Sequence, residues 1–288
     1  IETGSEGFEQ ELVGFYEEYL AVQSGDLPAD QSRFVLGPDV AKGFHVLDQR
    51  LERVSEPPVA VKGQTTGPFT FATGIRDAEN RAIFYNDQLR DAAVKLLAMK
   101  AAWQTARLAR HHRPVIVFID EPALAGFGSS EYISVAPDDV RQCLAEVIDA
   151  IKAAGGMAGV HVCANTDWSL VLDSGADILS FDAYGYFDKL ILYRDALQRF
   201  VGSGGVLTWG IVPTLQVEAL QSETVETLHA MYREQVGRLA RLGFDPEQLF
   251  RQSLISTSCG AGSLNRENAA RVLEMTTQLS ARVRDDAF

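Results

Sequence analysis

Pro114-Val115-Ile116-Val117-Phe118-Ile119-Asp120-Glu121-Pro122 is an unbroken apolar run that ends in two acids and a proline. An alternating pattern would mean a strand with one wet face. A continuous one means a strand covered on both faces, as in a parallel sheet clad by helices. The acids fall where such a strand would emerge. Upstream, Asp87 to His111 carries Leu89, Ala93, Leu96 and Trp103 at helical spacing. Downstream, Pro137-Asp138-Asp139 opens a second helix with proline in its first turn and acids at its positive end. That helix turns Val140, Leu144, Val147 and Ile151 inward and stops at Gly155-Gly156.

The same alternation continues outward from this unit. Val59–Gly63, Met157–Cys163, Asp177–Asp182, Gly205–Pro213 and Leu249–Ser256 read as further strands. Between them lie a short helix over Asp167–Asp173 capped by Thr166, a helix over Asp188–Val201 and one over Thr224–Leu242; a last helix is capped by Asn265. Residues 1–56 are helical, with Phe8, Leu12, Phe15, Tyr16 and Leu20 on one face, and contain no buried strand. Six strands, each followed by a helix and joined without a linker, predict α/β architecture. The expected fold is a TIM (β/α)8 barrel whose first one or two strands are absent from the chain. The expected domain organisation is one barrel domain over 1–288, with 1–56 a helical N-terminal segment and 57–288 the βα units. Polar residues stand at nearly every strand end: Lys62 and Gln64, Asp120 and Glu121, His161 and Cys163, Asp182, Trp209, Cys259. A barrel gathers such ends at one mouth, whereas a doubly wound sheet spreads them along an edge.

Within Gly159-Val160-His161-Val162-Cys163-Ala164-Asn165, the imidazole and the thiol are two residues apart on a strand and therefore project from the same face. One nitrogen and one sulfur so placed make half of a zinc site. Cys259, 96 residues after Cys163, is a third soft ligand at another strand end. That separation excludes a local zinc knuckle and suits a site assembled from two strands. Thiolates favour zinc over magnesium or calcium, which take oxygen. Cysteine is also among the most buried residue types, and Cys143, beside Leu144 on a helix, is read as core. Asp182 is open to three readings: a fourth ligand, an acceptor that orients His161, or a solvated acid. Asp120, Glu121 and Asp182 are candidates for substrate binding; for Asp120 and Glu121 the alternative is bonding of backbone N–H groups in the following loop.

Composition bounds the partners. The 288 residues carry a net charge of −13 and a pI near 4.8, which argues against nucleic acid or an anionic membrane. No apolar run reaches the ~18 residues of a membrane span. Three cysteines form no disulfide framework, so the expected setting is reducing and cytoplasmic. There is no GxGxxG after a strand and no P-loop, and hence no sign of nucleotide binding.

Val61-Lys62-Gly63-Gln64-Thr65-Thr66-Gly67-Pro68, Ile119-Asp120-Glu121-Pro122-Ala123-Leu124, His161-Val162-Cys163 and Ser258-Cys259-Gly260 together resemble, in order, the catalytic domain of cobalamin-independent methionine synthase. More broadly they resemble the superfamily it shares with uroporphyrinogen decarboxylase. The resemblance runs over about residues 58 to 280 and is nearest to the short, single-barrel forms of the synthase. It implies a barrel with zinc at its mouth, where homocysteine is held as a thiolate and methylated to methionine. His161, Cys163 and Cys259 would be the zinc ligands. Asp120, the catalytic candidate, would hold the amino group of the substrate. Asp182 stands where the family has a glutamate ligand. The family's first strand, with its Gly-Ser carboxylate-binding element, and the second strand have no counterpart here, so the chain is expected to lack the beginning of the barrel. The short forms imply a methylcorrinoid, free or on a corrinoid protein, as methyl donor in place of methyltetrahydrofolate. Alternatives with the same scaffold are a methyltransferase acting on coenzyme M, a uroporphyrinogen decarboxylase-like enzyme, and a non-catalytic barrel that binds zinc or a corrinoid.

Overall fold

A computed structural model describes residues 1–5 and 7–286; Glu6, Ala287 and Phe288, although within the expected 1–288 domain, lie outside the described residues. The chain divides into two compact units, Ile1–Ala123 with Ser134–Gly159, and Leu124–Ile133 with Val160–Phe288. The division falls inside the third strand.

The first unit opens with helices α1 (Phe8–Ser24) and α2 (Lys42–Leu51). Strand β1 (Val61–Thr66), the short helix α3 (Pro68–Gly74) and the long helix α4 (Asp87–Ala109) follow. Strand β2 (Val115–Asp120), helix α5 (Pro137–Ala153) and the start of β3 (Met157–Val162) complete it. Among the described residues before β1 there is no strand; Phe15 of α1 packs with Phe34 and with Met99 of α4 as a small core of their own. Strands β1 and β2 are parallel, with Val61 opposite Val115 and Thr66 opposite Asp120. The strand expected over Val59–Gly63 therefore starts later and runs on to Thr66, where two threonines suit a pleated position. Val115, Val117, Phe118 and Ile119 are all buried, as the continuous apolar run requires.

The second unit carries the end of β3, then α6 (Trp168–Leu172), β4 (Ile178–Phe181), α7 (Ala183–Leu190), α8 (Arg194–Gly202) and β5 (Val206–Val212). Helices α9 (Val217–Ser222), α10 (Val225–Arg241) and α11 (Pro246–Arg251), strand β6 (Ser253–Thr257) and helix α12 (Arg266–Asp285) end it. Strands β4, β5 and β6 are parallel neighbours. Three expectations are corrected here. Asp167, not Thr166, caps α6 by accepting from Ser169 N; Thr166 instead donates to the Leu124 carbonyl at 2.8 Å. The helix expected over 188–201 is two helices with a 3-10 turn, Ile191–Tyr193, between them. Leu249 lies in α11 and not in a strand, because Asp245 caps that helix and Pro246 occupies its first turn.

Among the described residues six strands are ordered β1-β2-β3-β4-β5-β6. Consecutive order with parallel ladders is the topology of a (β/α)8 barrel. The expectation of eight strands is met only in part, since the order has six, with β1 and β6 as its ends.

Side-chain alternation sorts the second unit. Phe181 and Trp209, opposite each other in the β4–β5 ladder, face helices α7 and α10; the Trp209 ring lies 5.9 Å from Phe187 and 5.3 Å from Tyr232, centre to centre. Trp168 and Trp209 are completely buried, as expected of packing residues. Ser180 and Thr208 point to the opposite face. Gly210 marks an irregularity in the β5–β6 register. A Cβ there would lie 2.6 Å from the Phe181 carbonyl oxygen, 2.8 Å from that of Thr257 and 3.0 Å from Ser258 Cα. All three neighbours are backbone and cannot swing aside. Gly210→Ala is expected to cost about 1–3 kcal/mol, read as a lower urea midpoint at unchanged slope; an unchanged midpoint would show that the strands part freely at this point.

Candidate metal centre

Strand β3 delivers His161 and, one residue past its end, Cys163. Strand β6 delivers Cys259, two residues past Thr257. One ligand atom from each of His161, Cys163 and Cys259 lies within 4.8 Å of the others, and all three residues are half-buried. The structure thus brings together the three expected ligands, all of them in the second unit.

The cysteine on β6 is held by its loop. Ser258 N donates to the Val212 carbonyl at 2.8 Å, Thr214 N donates to Ser258 Oγ at 3.1 Å, and Cys259 N donates to Thr214 Oγ1 at 3.0 Å. Thr257 Oγ1 closes the turn by donating to the Cys259 carbonyl at 2.7 Å. Thr214 and Ser258 are each only 2% exposed, so these bonds compete with no water. Sequence reasoning missed both residues. Their partners lie 44 positions away, and nothing local marks them among other hydroxyl residues.

The imidazole is also held. His161 Nδ1 lies 3.0 Å from Ser180 Oγ, on the neighbouring strand β4. Ser180 therefore takes the orienting place that was one of three readings for Asp182. Asp182 itself caps α7, its Oδ1 accepting from Gly185 N at 2.8 Å, and it is not one of the three clustered ligands. Burial pushes its carboxyl above the usual range. It stands near enough to disfavour the Cys163 thiolate. That thiol is pushed up to about 11, first by burial, then by the Cys259 thiol beside it, and then by Asp182. Two adjacent thiols under a carboxylate need a cation before both ionise. Two sulfurs and one nitrogen are a donor set that fits a soft or borderline divalent metal. Cys143, by contrast, is a buried core thiol on α5.

The other site candidates belong to the first unit. Asp120 ends β2; burial pushes its carboxyl up, a nearby Lys62 partly offsetting this, and no described group donates a hydrogen bond to it. Lys62 Nζ bonds Gln64 Oε1 at 3.0 Å and lies 5.1 Å over the Phe118 ring. A half-buried carboxylate without a donor is a group with binding capacity to spare. Glu121 is different. It is fully buried and accepts from Phe69 N (2.9 Å), Thr70 N (2.8 Å) and Thr70 Oγ1 (2.6 Å), which satisfies the open N-terminus of α3. The structure thus places Glu121, a candidate for substrate binding, as a carboxyl already occupied by backbone N–H groups.

No protein-family model matches the sequence, and no curated protein matches it either. Among solved structures, the fold is similar to that of a methyltransferase from Methanosarcina mazei, with a TM-score of 0.52 and 15% sequence identity over 86% of this chain. The chain spans 65% of that protein's length. At this identity the likeness is one of fold. The consecutive strand order and the His/Cys/Cys cluster at two strand ends are features of this chain's own structure. Among the described residues no helix is long and apolar enough to cross a membrane.

Proposed function

We propose that this protein is a zinc-dependent methyltransferase that methylates a thiol, homocysteine, with a methylcorrinoid as donor. The observation that carries this reading is the convergence of His161, Cys163 and Cys259 from two strands onto one point. Three protein ligands of this chemistry leave a position open for a fourth, which is the pattern of working and not of purely structural zinc sites. Zinc held there would supply a cation that lowers the proton affinity of a sulfur ligand, much as it does for bound water. The protein's own part is to fix the trio. Thr214 and Ser258 hold the Cys259 turn, Ser180 holds the imidazole, and burial keeps water from competing. Asp120, a carboxylate with no donor of its own, suits the substrate ammonium. In the reaction the carbon–cobalt bond of the donor breaks with its electron pair left on the corrinoid. A carbon–sulfur bond forms, and the thiol proton passes to water. The barrel-type fold shared with a methyltransferase is consistent with this reading. One barrel domain and a cytoplasmic setting belong to the same proposal.

The test is methyl transfer by zinc-loaded protein, with homocysteine and coenzyme M compared as acceptors. Methylcobalamin and methyltetrahydrofolate are supplied in separate reactions. Methionine formed from methylcobalamin is the expected result. Methylation of coenzyme M alone would move the acceptor and keep the chemistry, and methylation of neither thiol would overturn the proposal.

A further inference from the structure

Thr208 presents a buried hydroxyl, 5% exposed as a residue, whose oxygen has no hydrogen-bond partner among the described residues. Such a group costs free energy unless it is used. Its place in the sheet suggests the use. In the β4–β5 ladder Thr208 sits directly opposite Ser180, and residues opposite each other in a parallel ladder share a face. Phe181 and Trp209 take the other face, against the helices. Ser180 in turn is 3.0 Å from His161 Nδ1 and is itself 5% exposed. Imidazole, serine hydroxyl and threonine hydroxyl therefore form one row across β3, β4 and β5.

We infer that Ser180, backed by Thr208, is a positioning residue that holds His161 with its proton on Nδ1, so that Nε2 is the nitrogen offered to the metal. This rests on the proposal that the His161, Cys163 and Cys259 trio binds zinc. The proton inventory supports the direction. A ligating imidazole nitrogen needs its lone pair, so the proton must sit on the other nitrogen and be donated to an acceptor. Ser180 Oγ is that acceptor for Nδ1–H. Its own hydroxyl hydrogen then needs a lone pair; Thr208 Oγ1, a buried oxygen in the same row, makes no hydrogen bond in this structure, to Ser180 included, and has its capacity free to take it. Asp182, the nearest carboxyl on the same strand end, is spent on Gly185 N. The acceptor behind His161 is accordingly a neutral hydroxyl pair. The three ligands then bring only the two charges of their thiolates, which match a divalent cation.

The test uses the full chain loaded with zinc, with affinity measured by competition against a chromophoric chelator. Ser180→Ala is expected to weaken zinc binding ~10- to 100-fold, the range found when the partner of a ligating histidine is removed. Ser180→Thr, which keeps the hydroxyl, should restore most of the loss, and Thr208→Val should weaken binding by a smaller factor. On the wild-type protein, long-range proton–nitrogen NMR of labelled histidine, assigned by difference from His161→Asn, should show a protonated Nδ1 and a ligated Nε2. A ligated Nδ1 overturns the inference whatever the variants do. Wild-type zinc binding with unchanged affinity in Ser180→Ala overturns it while leaving the metal proposal standing. A wild-type protein that takes up no zinc overturns both.

Discussion

Cys163→Ser and Cys259→Ser are each expected to lower zinc affinity by a few hundred-fold or more, and to do so equally. Structural zinc sites are worth about 10–16 kcal/mol over four ligands, or roughly 2.5–4 kcal/mol per ligand. A serine oxygen recovers little of that, because it stays protonated where a thiol bound to the metal does not. The equality matters more than the size. The two residues are 96 positions apart, on the ends of β3 and β6, and matched losses require that they serve one ion. Cys143→Ser is the internal control: its thiol is buried on α5, so the change should leave zinc affinity as it was and reduce stability alone. Equilibrium dialysis with zinc under reducing conditions measures all three. Full zinc binding by either ligand variant would show that the trio is not the site.

The second large effect falls on stability, at Glu121. Replacing it with leucine removes the acceptor of three donors at once, Phe69 N, Thr70 N and Thr70 Oγ1, in a place sealed from water. A buried donor left unsatisfied costs about 1–3 kcal/mol, so a loss of roughly 3–5 kcal/mol is expected, enough to lower the urea midpoint markedly. The site is also built tightly around the acid. A Cβ at Gly67 would run into the Glu121 carboxyl, so Gly67 takes no side chain while the acid keeps its place. The same carboxyl gives stability a pH dependence. Burial raises it from 4.5 to about 7, against the opposing pull of its hydrogen bonds. Between those values this site binds a proton in the folded chain but not in the unfolded one, so its contribution to stability is fully present below about 4.5 and is lost as pH rises through 7. Glu121→Gln cannot titrate and should lack that slope. Parallel stability–pH curves for the variant and the wild type would show that Glu121 titrates as it does in the unfolded chain.

What could be read from the residues follows from how far each interaction reaches along the chain. His161 and Cys163 are two apart on a strand, and alternation alone puts them on one face. Cys259 was legible for a different reason: it is the one other soft ligand at a strand end. The continuous run from Val115 to Ile119 announced a doubly covered strand by its composition. Thr214, Ser258 and Ser180 left no such trace, since their bonds are made across strands with partners 44 and 19 residues away. Thr166 and Asp167 show the opposite failure. Both can cap a helix, and the choice was made by the Leu124 carbonyl, which claims the threonine hydroxyl from 42 residues upstream. Leu249 was misplaced although the signal for its helix was local: Asp245-Pro246 is a cap followed by a first-turn proline. The apolar residues of Leu249–Ser256 outweighed it, and a short apolar run does not separate helix from strand.

In the proposed function, His161, Cys163 and Cys259 hold one zinc ion that takes a substrate thiol as a further ligand. Zinc-edge X-ray absorption on the loaded protein, with and without homocysteine, tests it most directly. The account predicts one imidazole nitrogen and two sulfurs from the protein, with Zn–S near ~2.3 Å, and a third sulfur on addition of homocysteine. A sulfur count that stays at two with homocysteine present, or a shell of oxygens alone, would contradict it.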